Sequence, residues 1–409
     1  MWWRTHAVLA AAAFLASPPL AHPVLFLDNH GIAAERGLRR VLHRPAKHGP
    51  PLVGPLQHNA APFMTVMRLR GRYRMYFNSL IPGRAMYVSY VESPDGVHFG
   101  RRPTNLDIPN IEFGATVVRA PDGHLVLGWW QDGVWTAVSH NGGNRFIHAE
   151  EVIDQTGPAE NDIVSMTYFR GRYIAMLKLY KHYARGGKTA PPGTRRVVGV
   201  ATSPNARDWT KPRVVLAPDG RDPGVTEFYG VGGMIDRGGV LVGMLRVLRD
   251  DIGRGIGYTT LAWSRDGVTW HRYRAPFLSF SADRRKWDSS AAWADSQIVA
   301  RGRTMVYYGG YHGGHKANNR HLGLATLPVD RYVSRTGTGI LETRPVRLAG
   351  LALNATVRGS VVVDLVRGRR VVSSCRVPRG DYVYERVCPV IGTYRVRLLV
   401  QDADVYALS

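Results

Sequence analysis

The sequence predicts an all-β fold, a five-bladed β-propeller followed by a small C-terminal β-sandwich-like domain. Three observations predict it: a recurring turn, a recurring hairpin before each turn, and a change of pattern late in the chain. In the turn, a Ser is followed two residues later by Asp or Asn, and the turn closes on an aromatic side chain. Its copies lie at 93–99, 139–146, 203–209 and 264–270.

The hairpin is a short Gly-containing turn that leads into an apolar strand. Its copies lie at 70–77, 121–127, 170–176, 237–244 and 301–308. Five hairpins at intervals of roughly 50–65 residues predict five four-stranded blades around a central channel. The alternative is that Gly-rich turns recur by chance in a β protein of another kind.

Composition agrees with a large globular β protein. The chain has 409 residues, 44% hydrophobic and 21% charged, and its 45 Gly and 25 Pro suit many tight turns. Residues 1–21 predict a signal peptide, since a short basic start precedes an apolar run too short to span a bilayer. We therefore expect a secreted or periplasmic protein with no membrane span. An uncleaved or lipid-anchored form is the alternative.

The net charge of +23 comes mostly from arginine, which is spread through every repeat. No nucleic-acid-binding module is present, so the charge does not predict a specific nucleic-acid partner. A positive field would instead attract anionic cell-wall or surface polymers. Cys375 and Cys388 predict one local disulfide in an oxidising compartment, with two free buried thiols as the alternative.

Domain boundaries follow from the pattern. The propeller is expected at 22–335 and the β-sandwich-like domain at 336–409, where alternating apolar runs replace the repeat. The strand Leu25–Asp28 is expected to pair with the last blade and close the ring. The segment 181–195, rich in Gly, Pro and basic residues, is expected to overhang the channel mouth.

Acidic residues stand at or near the starts of several strands. Because the inner strands of different blades converge at one end of the channel, acids distant in sequence become neighbours there. Sugar cleavage needs such a pair, one carboxylic acid for the leaving oxygen and one carboxylate for the sugar or water. In the alternative, each acid only bonds backbone amides at a turn. The candidates are Asp28, Asp162, Glu227 and Asp288.

Several of these segments resemble secreted bacterial proteins related to glycoside hydrolase families 32 and 43, the five-bladed invertase and arabinanase-like propellers. The opening Trp-Met-Asn-Asp-Pro-Asn-Gly of family 32 is absent. The resemblance implies three acids on separate inner strands: a nucleophile or base, a transition-state stabiliser and a Glu general acid. It is carried by 25–28, 37–45, 93–99, 227–230, 287–289, 322–327, 351–354 and 402–406.

The leading interpretation is a glycoside hydrolase in which Glu227 is the general acid and Asp28 or Asp288 is the base or nucleophile. Asp162 would set the pKa and orientation of the acid. Trp287 and Tyr229 are expected to stack on the sugar, with His58 and Asn110 as hydrogen-bonding partners and His312 as a polar residue of the channel mouth.

Two other functions are open. One is a carbohydrate-binding propeller without turnover, and the other is a phosphorylase that holds phosphate with Arg246 and Arg320. No cofactor and no metal are expected, because His312 and His315 have no acidic residue at a suitable spacing.

Overall fold

The computed structural model describes residues 23–53, 61–80, 86–108, 113–154, 160–317 and 319–409, with the backbone alone at 61, 62, 80, 113 and 160–164. Every regular element in these ranges is a β-strand, which confirms the predicted all-β class. No helix there is long and apolar enough to span a bilayer. Three strands precede the first repeat: β1 (Val24–Leu25), β2 (Ile32–Leu42) and β3 (Ala46–Lys47).

Within the described residues, the repeats fold as antiparallel units of four strands each. We number these units I to V in chain order. In units I to IV, strands adjacent in sequence are hydrogen-bonded neighbours. Unit I contains β4 (Ala61–Leu69), β5 (Arg72–Leu80), β6 (Met86–Ser93) and β7 (Thr104–Asn105); unit II contains β8 (Phe113–Arg119), β9 (Leu125–Trp130), β10 (Gly133–Ser139) and β11 (Ile147–Asp154); unit III contains β12 (Glu160–Phe169), β13 (Arg172–His182), β14 (Thr194–Ser203) and β15 (Arg213–Leu216); unit IV contains β16 (Thr226–Asp236), β17 (Leu241–Arg249), β18 (Ile256–Ser264) and β19 (Trp270–Arg272); unit V contains β20 (Ala291–Ala300), β21 (Arg303–His312) and β22 (Asn319–Pro328), with β3 as its fourth strand.

The hairpin repeat forms because Gly allows a left-handed backbone at the turn. The pairs Arg70-Gly71 and Arg170-Gly171 both have positive φ, 48° and 82° in the first pair and 48° and 83° in the second. Two consecutive left-handed residues are typical of the two-residue hairpin turn whose twist matches antiparallel strands. This is why the Arg-Gly motif separates the first and second strands of a unit.

The Ser-Asp turn is held by its own side chains. Ser93 Oγ accepts the N–H of Gly96 at 2.9 Å, and Asp95 Oδ1 accepts the N–H of Val97 at 2.9 Å and of His98 at 2.8 Å. Backbone donors that leave the sheet are thereby satisfied locally. The same contacts recur at Ser264 and Asp266, and Asn205 accepts the two equivalent N–H groups in unit III. In unit II, Asn141 accepts instead the N–H of Arg145, four residues later.

Hydrophobic cores lie between neighbouring units. Successive residues of β13 alternate, with Ile174 and Met176 packing toward unit IV and Ala175 and Leu177 toward unit II. The two faces of a strand carry alternate residues, so a strand that is apolar throughout is buried on both faces. The units therefore stand face to face.

The first strands of the units contact each other in a closed sequence, β4, β8, β12, β16, β20 and again β4. Side-chain hydroxyls of one first strand accept backbone N–H groups of the next, at the same depth in each strand. Ser296 of β20 accepts from Val66 of β4 at 2.9 Å, which joins the last unit to the first. The same bond links Thr65 to Val117 at 3.1 Å and Thr116 to Met166 at 2.7 Å.

Ring closure uses a different N-terminal strand from the one expected. The outer strand of unit V is β3, in which Lys47 lies opposite Ala325. β1 pairs instead with the last strand of the chain, Val24 opposite Leu408. Phe26 and the β2 residue Ile32 are buried in the C-terminal core, so packing fixes this part of the chain there.

The C-terminal residues form a sheet that includes the N-terminal strands. Its order is β2-β23-β26-β24-β25, with β1 also paired to β26. A disulfide between Cys375 and Cys388 joins β25 to β26. The additional strands are β23 (Val333–Thr343), β24 (Val346–Arg367), β25 (Arg370–Val377) and β26 (Gly380–Leu408).

Candidate functional site

The strand register defines two ends of the ring. β16 begins with Thr226 opposite Arg249 and ends with Asp236 opposite Leu241. Because the first strands run in the same direction, their first residues lie together at what we call the strand-start end. The Ser-Asp turn of unit IV begins at Ser264. Since Ser264 lies opposite Leu241, this turn lies at the other end of the unit.

Glu227 is a carboxylate at the strand-start end, and its side chain is fully buried. Arg196 approaches it with Nη1 at 3.1 Å from Oε2, and the backbone N–H of Arg196 donates to the same oxygen at 2.9 Å. Burial raises the pKa of Glu227, and the charge and hydrogen bonds of Arg196 oppose part of that rise. A carboxyl group that keeps its proton to higher pH than usual is suited to general-acid chemistry.

The segment 183–193, between β13 and β14, covers this carboxyl group. A Cβ atom at Gly187 would lie 2.3 Å from Glu227 Oε1, so only glycine allows the backbone to pass here. The N–H of Lys188 donates to Asp250 Oδ2. Arg196 Nη1 donates to Thr189 Oγ1 at 3.2 Å. The segment thus closes over Glu227 at the strand-start end.

Tyr229 lies next to this carboxyl group inside the protein. Its ring stacks on Trp293 with centroids 4.8 Å apart, and the cations of Lys178 and Arg196 lie 5.1 and 4.8 Å from its centroid. Burial raises the pKa of Tyr229, although Arg196 opposes the rise. Since Tyr229 is packed on several sides, its ring supports the floor of the site.

Asp295 is a buried acid that was not among the predicted site residues. It lies in β20 where the ladder to β21 shifts between Ala294 and Ser296, and it accepts the N–H of Met64 at 2.7 Å. Burial raises its pKa to about 6, with Arg246 opposing the rise. The available signal was a lone acid directly after the apolar run 291–294 of a first strand.

The two arginines considered for phosphate binding have protein partners. Arg246 is 1% exposed, donates to the carbonyl of Tyr229 at 2.9 Å and lies 3.6 Å from Asp295 Oδ1. Arg320 donates to the carbonyl of Ala317 at 3.0 Å. Neither contact favours a phosphate site.

The structure corrects the role expected for Asp28. Both carboxylate oxygens face Arg265, at 2.6 and 2.8 Å, and Trp263 Nε1 donates to it at 2.8 Å. Partial burial would raise its pKa, but the hydrogen bonds and the charge of Arg265 lower it to about 2. Since Arg265 follows Ser264, Asp28 lies at the opposite end of unit IV from Glu227 and cannot act with it.

Asp288 and Trp287 precede β20, the first strand of unit V. The Asp288 carboxylate contacts Lys47 of the outermost strand and accepts the hydroxyl of Tyr308 at 3.2 Å. The Trp287 ring stacks on Tyr308 with centroids 5.4 Å apart. Among the described residues, the hydrogen-bond partners of Asp288 are different from those of Glu227.

The remaining expected residues fall into two groups. His58 and Asn110 lie outside the described residues. For Asp162 the backbone alone is described, at a shift in the ladder between Asn161 and Ile163 of β12. Such irregularities re-aim side chains and are frequent beside active sites.

The two candidate histidines have hydrogen-bond partners in the protein. His312 Nδ1 lies 2.8 Å from Ser289 Oγ, and His315 Nε2 lies 3.4 Å from Thr189 Oγ1. Burial lowers the pKa of His315 to about 4. Within the described ranges, no three His, Cys, Asp or Glu side chains are grouped as metal ligands.

Comparison with solved structures identifies the fold. The complex of BT0996 with RGII has a TM-score of 0.53 at 14% identity, and the match covers 70% of this protein and 93% of the other. A second structure, described as a glycoside hydrolase, has a TM-score of 0.51 at 13% identity, covering 70% and 91%. A Bombyx mori family 32 beta-fructofuranosidase gives 0.46 at 14% identity, covering 89% and 93%.

No protein-family profile matches the chain, and no curated protein matches its sequence. The chain shares its overall fold with the first two of these solved structures, one of which is described as a glycoside hydrolase.

Proposed function

We propose that this chain is a glycoside hydrolase with five propeller blades, units I to V, and that it cleaves a poly- or oligosaccharide at the strand-start end of the ring. The observation that carries the proposal is Glu227, a carboxyl group of raised pKa at that end of a first strand. The fold likeness to a glycoside hydrolase supports the same chemistry.

The second carboxylate of the reaction is assigned to Asp162. Asp28 and Asp288 face cations elsewhere, which leaves Asp162 as the other acid of the predicted set. Asn161 lies opposite Lys178 in the sheet, and the Lys178 ammonium lies over the Tyr229 ring. The start of β12 is therefore next to the start of β16.

In this mechanism Glu227 donates its proton to the leaving oxygen, and Asp162 acts on the sugar or on water from the other side. Glu227 becomes accessible when the 183–193 segment lifts, which breaks the hydrogen bonds of Lys188 and Thr189. The acid is exposed to substrate only in that open state.

The test is sugar release from a panel of plant and microbial polysaccharides. Glu227→Gln is expected to lower the rate by about 10²-fold or more, because a positioned general acid contributes at least that much. Asp162→Asn should show a comparable loss. Asp28→Asn, at the opposite end, serves as the control.

Stability needs its own control, since Glu227→Gln leaves a buried Arg196 charge uncompensated. The double variant Glu227→Gln with Arg196→Gln removes both charges and should fold while remaining inactive. Full sugar release from either folded variant would remove Glu227 from the mechanism.

A second function, glycan binding without cleavage, is favoured by one observation. Among the described residues, Asp28, Glu227, Asp288 and Asp295 each lie against an Arg or a Lys. Retention on immobilised polysaccharide, with no sugar released over a long incubation, would select this function.

We also propose that the protein is exported, on the basis of residues 1–21. Cell fractionation should place it in the periplasm or the medium, and the mature protein should begin near residue 22. Retention of the full-length chain in the cytoplasm would contradict export.

A further inference from the structure

A pocket of about 360 Å³ lies on unit V, away from the ring axis. One wall is the segment around β3, the outermost strand of that unit, and the other is the connection 277–288 that leads from unit IV to β20. Polar and cationic side chains line it, among them Arg44, Lys47, His48, Ser279, Ser281 and Lys286.

Trp287 is the aromatic wall of this pocket. Its ring lies flat over β21 and β22 because Gly310 and Gly323 leave room, and Cβ atoms there would lie 2.1 and 2.3 Å from the ring. Its Nε1 donates to the carbonyl of Gly49 at 3.3 Å, and Tyr308 stacks on it. The half-buried indole is thus held in one orientation, as a sugar-stacking side chain must be.

The charge of the pocket is positive. Its one carboxylate, Asp288, is 3% exposed and lies against Lys47 and the Tyr308 hydroxyl. Arg44 and Lys286 are exposed, and within the described residues neither forms an ion pair closer than 4.0 Å, although the Asp283 carboxylate interacts electrostatically with Lys286. Two cations therefore remain for an anionic ligand.

We propose that this pocket binds an acidic oligosaccharide, with a sugar ring on Trp287 and a uronate carboxylate on Arg44 and Lys286. A held aromatic ring supplies the apolar surface of sugar recognition, and charge-assisted hydrogen bonds select the acidic substituent. The site goes beyond the proposed hydrolysis, since it lies off the axis and shares no residue with the surroundings of Glu227.

The test is calorimetric titration of the full chain with tetragalacturonate, with maltotetraose as the neutral comparison. We expect tetragalacturonate to bind more tightly, and Lys286→Ala or Arg44→Ala to weaken its binding about tenfold, as loss of one charged hydrogen bond predicts. Arg285→Ala is the matched control, because Arg285 is 91% exposed, pairs with Asp283 and does not line the pocket.

Three results would overturn the proposal: equal binding of the neutral sugar, no effect of Lys286→Ala, or equal displacement by inorganic phosphate, which marks a simple anion site. The catalytic variants separate this site from the hydrolytic one. Asp162→Asn and Glu227→Gln should lower sugar release by about 10²-fold or more yet bind tetragalacturonate as the native chain does. Loss of binding in those variants would place the acidic sugar in the channel and contradict a separate pocket.

Discussion

The pKa of each of three acids depends on two opposing effects. Burial raises the pKa, and one neighbouring cation lowers it. Glu227 is buried against Arg196, and Asp295 against Arg246. In both acids burial outweighs the cation and raises the pKa, whereas the half-buried Asp28 is held low by Arg265 and its other donors. Among these three acids, the two fully buried ones therefore have a raised pKa and the half-buried one has a lowered pKa.

Asp295 predicts a pH dependence of stability. Its pKa is raised from 3.8 to about 6, so the folded state binds more protons than the unfolded state between these values. The free energy of unfolding is expected to fall as pH rises from about 4 to about 6, by roughly 3 kcal/mol. Urea unfolding at pH 4, 5, 6 and 7 measures this.

Asp295→Asn is the matched variant, because the amide oxygen can still accept the N–H of Met64. Its stability should change less across this pH window than that of the native chain. An unchanged slope would assign the pH dependence to another group.

The candidate acids were predicted from the starts of strands. Their positions agree with the structure where the strand itself was correctly placed. Glu227 lies where predicted because Thr226 begins β16. Asp28 was misplaced because a short apolar strand does not specify its partner, and β1 pairs with β26. Asp295 was missed because the candidates were acids at strand starts, whereas Asp295 is the fifth residue of β20.

Among the single elements of the fold, the Ser-Asp turn is a repeated local motif held by side-chain hydrogen bonds. Asp266 Oδ1 accepts the N–H groups of Val268 at 2.8 Å and Thr269 at 2.6 Å. Asp266→Ala should cost about 1–2 kcal/mol in stability, as loss of a capping side chain does. Thermal and urea unfolding of the variant measure the cost.

Asp266→Asn is the control, since Asn205 makes the equivalent bonds in unit III. It should retain most of the stability. Equal destabilisation by Ala and Asn would show that the hydrogen bonds are unimportant.

The disulfide is the covalent element of the C-terminal sheet. Its cysteines are 13 residues apart, and in the chain-entropy model closing so short a loop stabilises by about 3 kcal/mol. Cys375→Ala with Cys388→Ala should lower the free energy of unfolding by about that amount. Unfolding with and without reductant checks it, because reductant should affect only the native chain.

Hairpins and turns were predictable because their signals are local, namely Gly at left-handed positions and Asp or Asn two residues after Ser. The strands that pair with β1 and β3 were not predictable, because pairing between strands distant in sequence depends on the burial of both partners. β3 has only two residues, too few for a periodic pattern.

For the whole molecule, the N-terminal strands connect the ring to the C-terminal sheet. β2 pairs with β23, and Phe26 is buried in the core of that sheet. Cutting the chain at the predicted boundary, leaving 22–335, removes most of β23 and all of β24 to β26, and it exposes Phe26 and Ile32. We expect that fragment to aggregate or to unfold at lower temperature than the full chain.

A fragment beginning at 44 retains β3, the outer strand of unit V, while it lacks β1 and β2. Ending at 335, it should be more soluble than 22–335. Cooperative melting of 22–335 at the native temperature would show instead that the ring needs nothing from the C-terminal sheet.

The central claim is that sugar is cleaved at the strand-start end by Glu227 under a movable 183–193 segment. The most direct measurement is a crystal structure of inactive Glu227→Gln with an oligosaccharide of the cleaved polysaccharide. The account predicts a glycosidic oxygen within hydrogen-bond distance of residue 227 and the 183–193 segment displaced from it. A sugar bound only elsewhere, with Gly187 still packed on residue 227, would contradict the account.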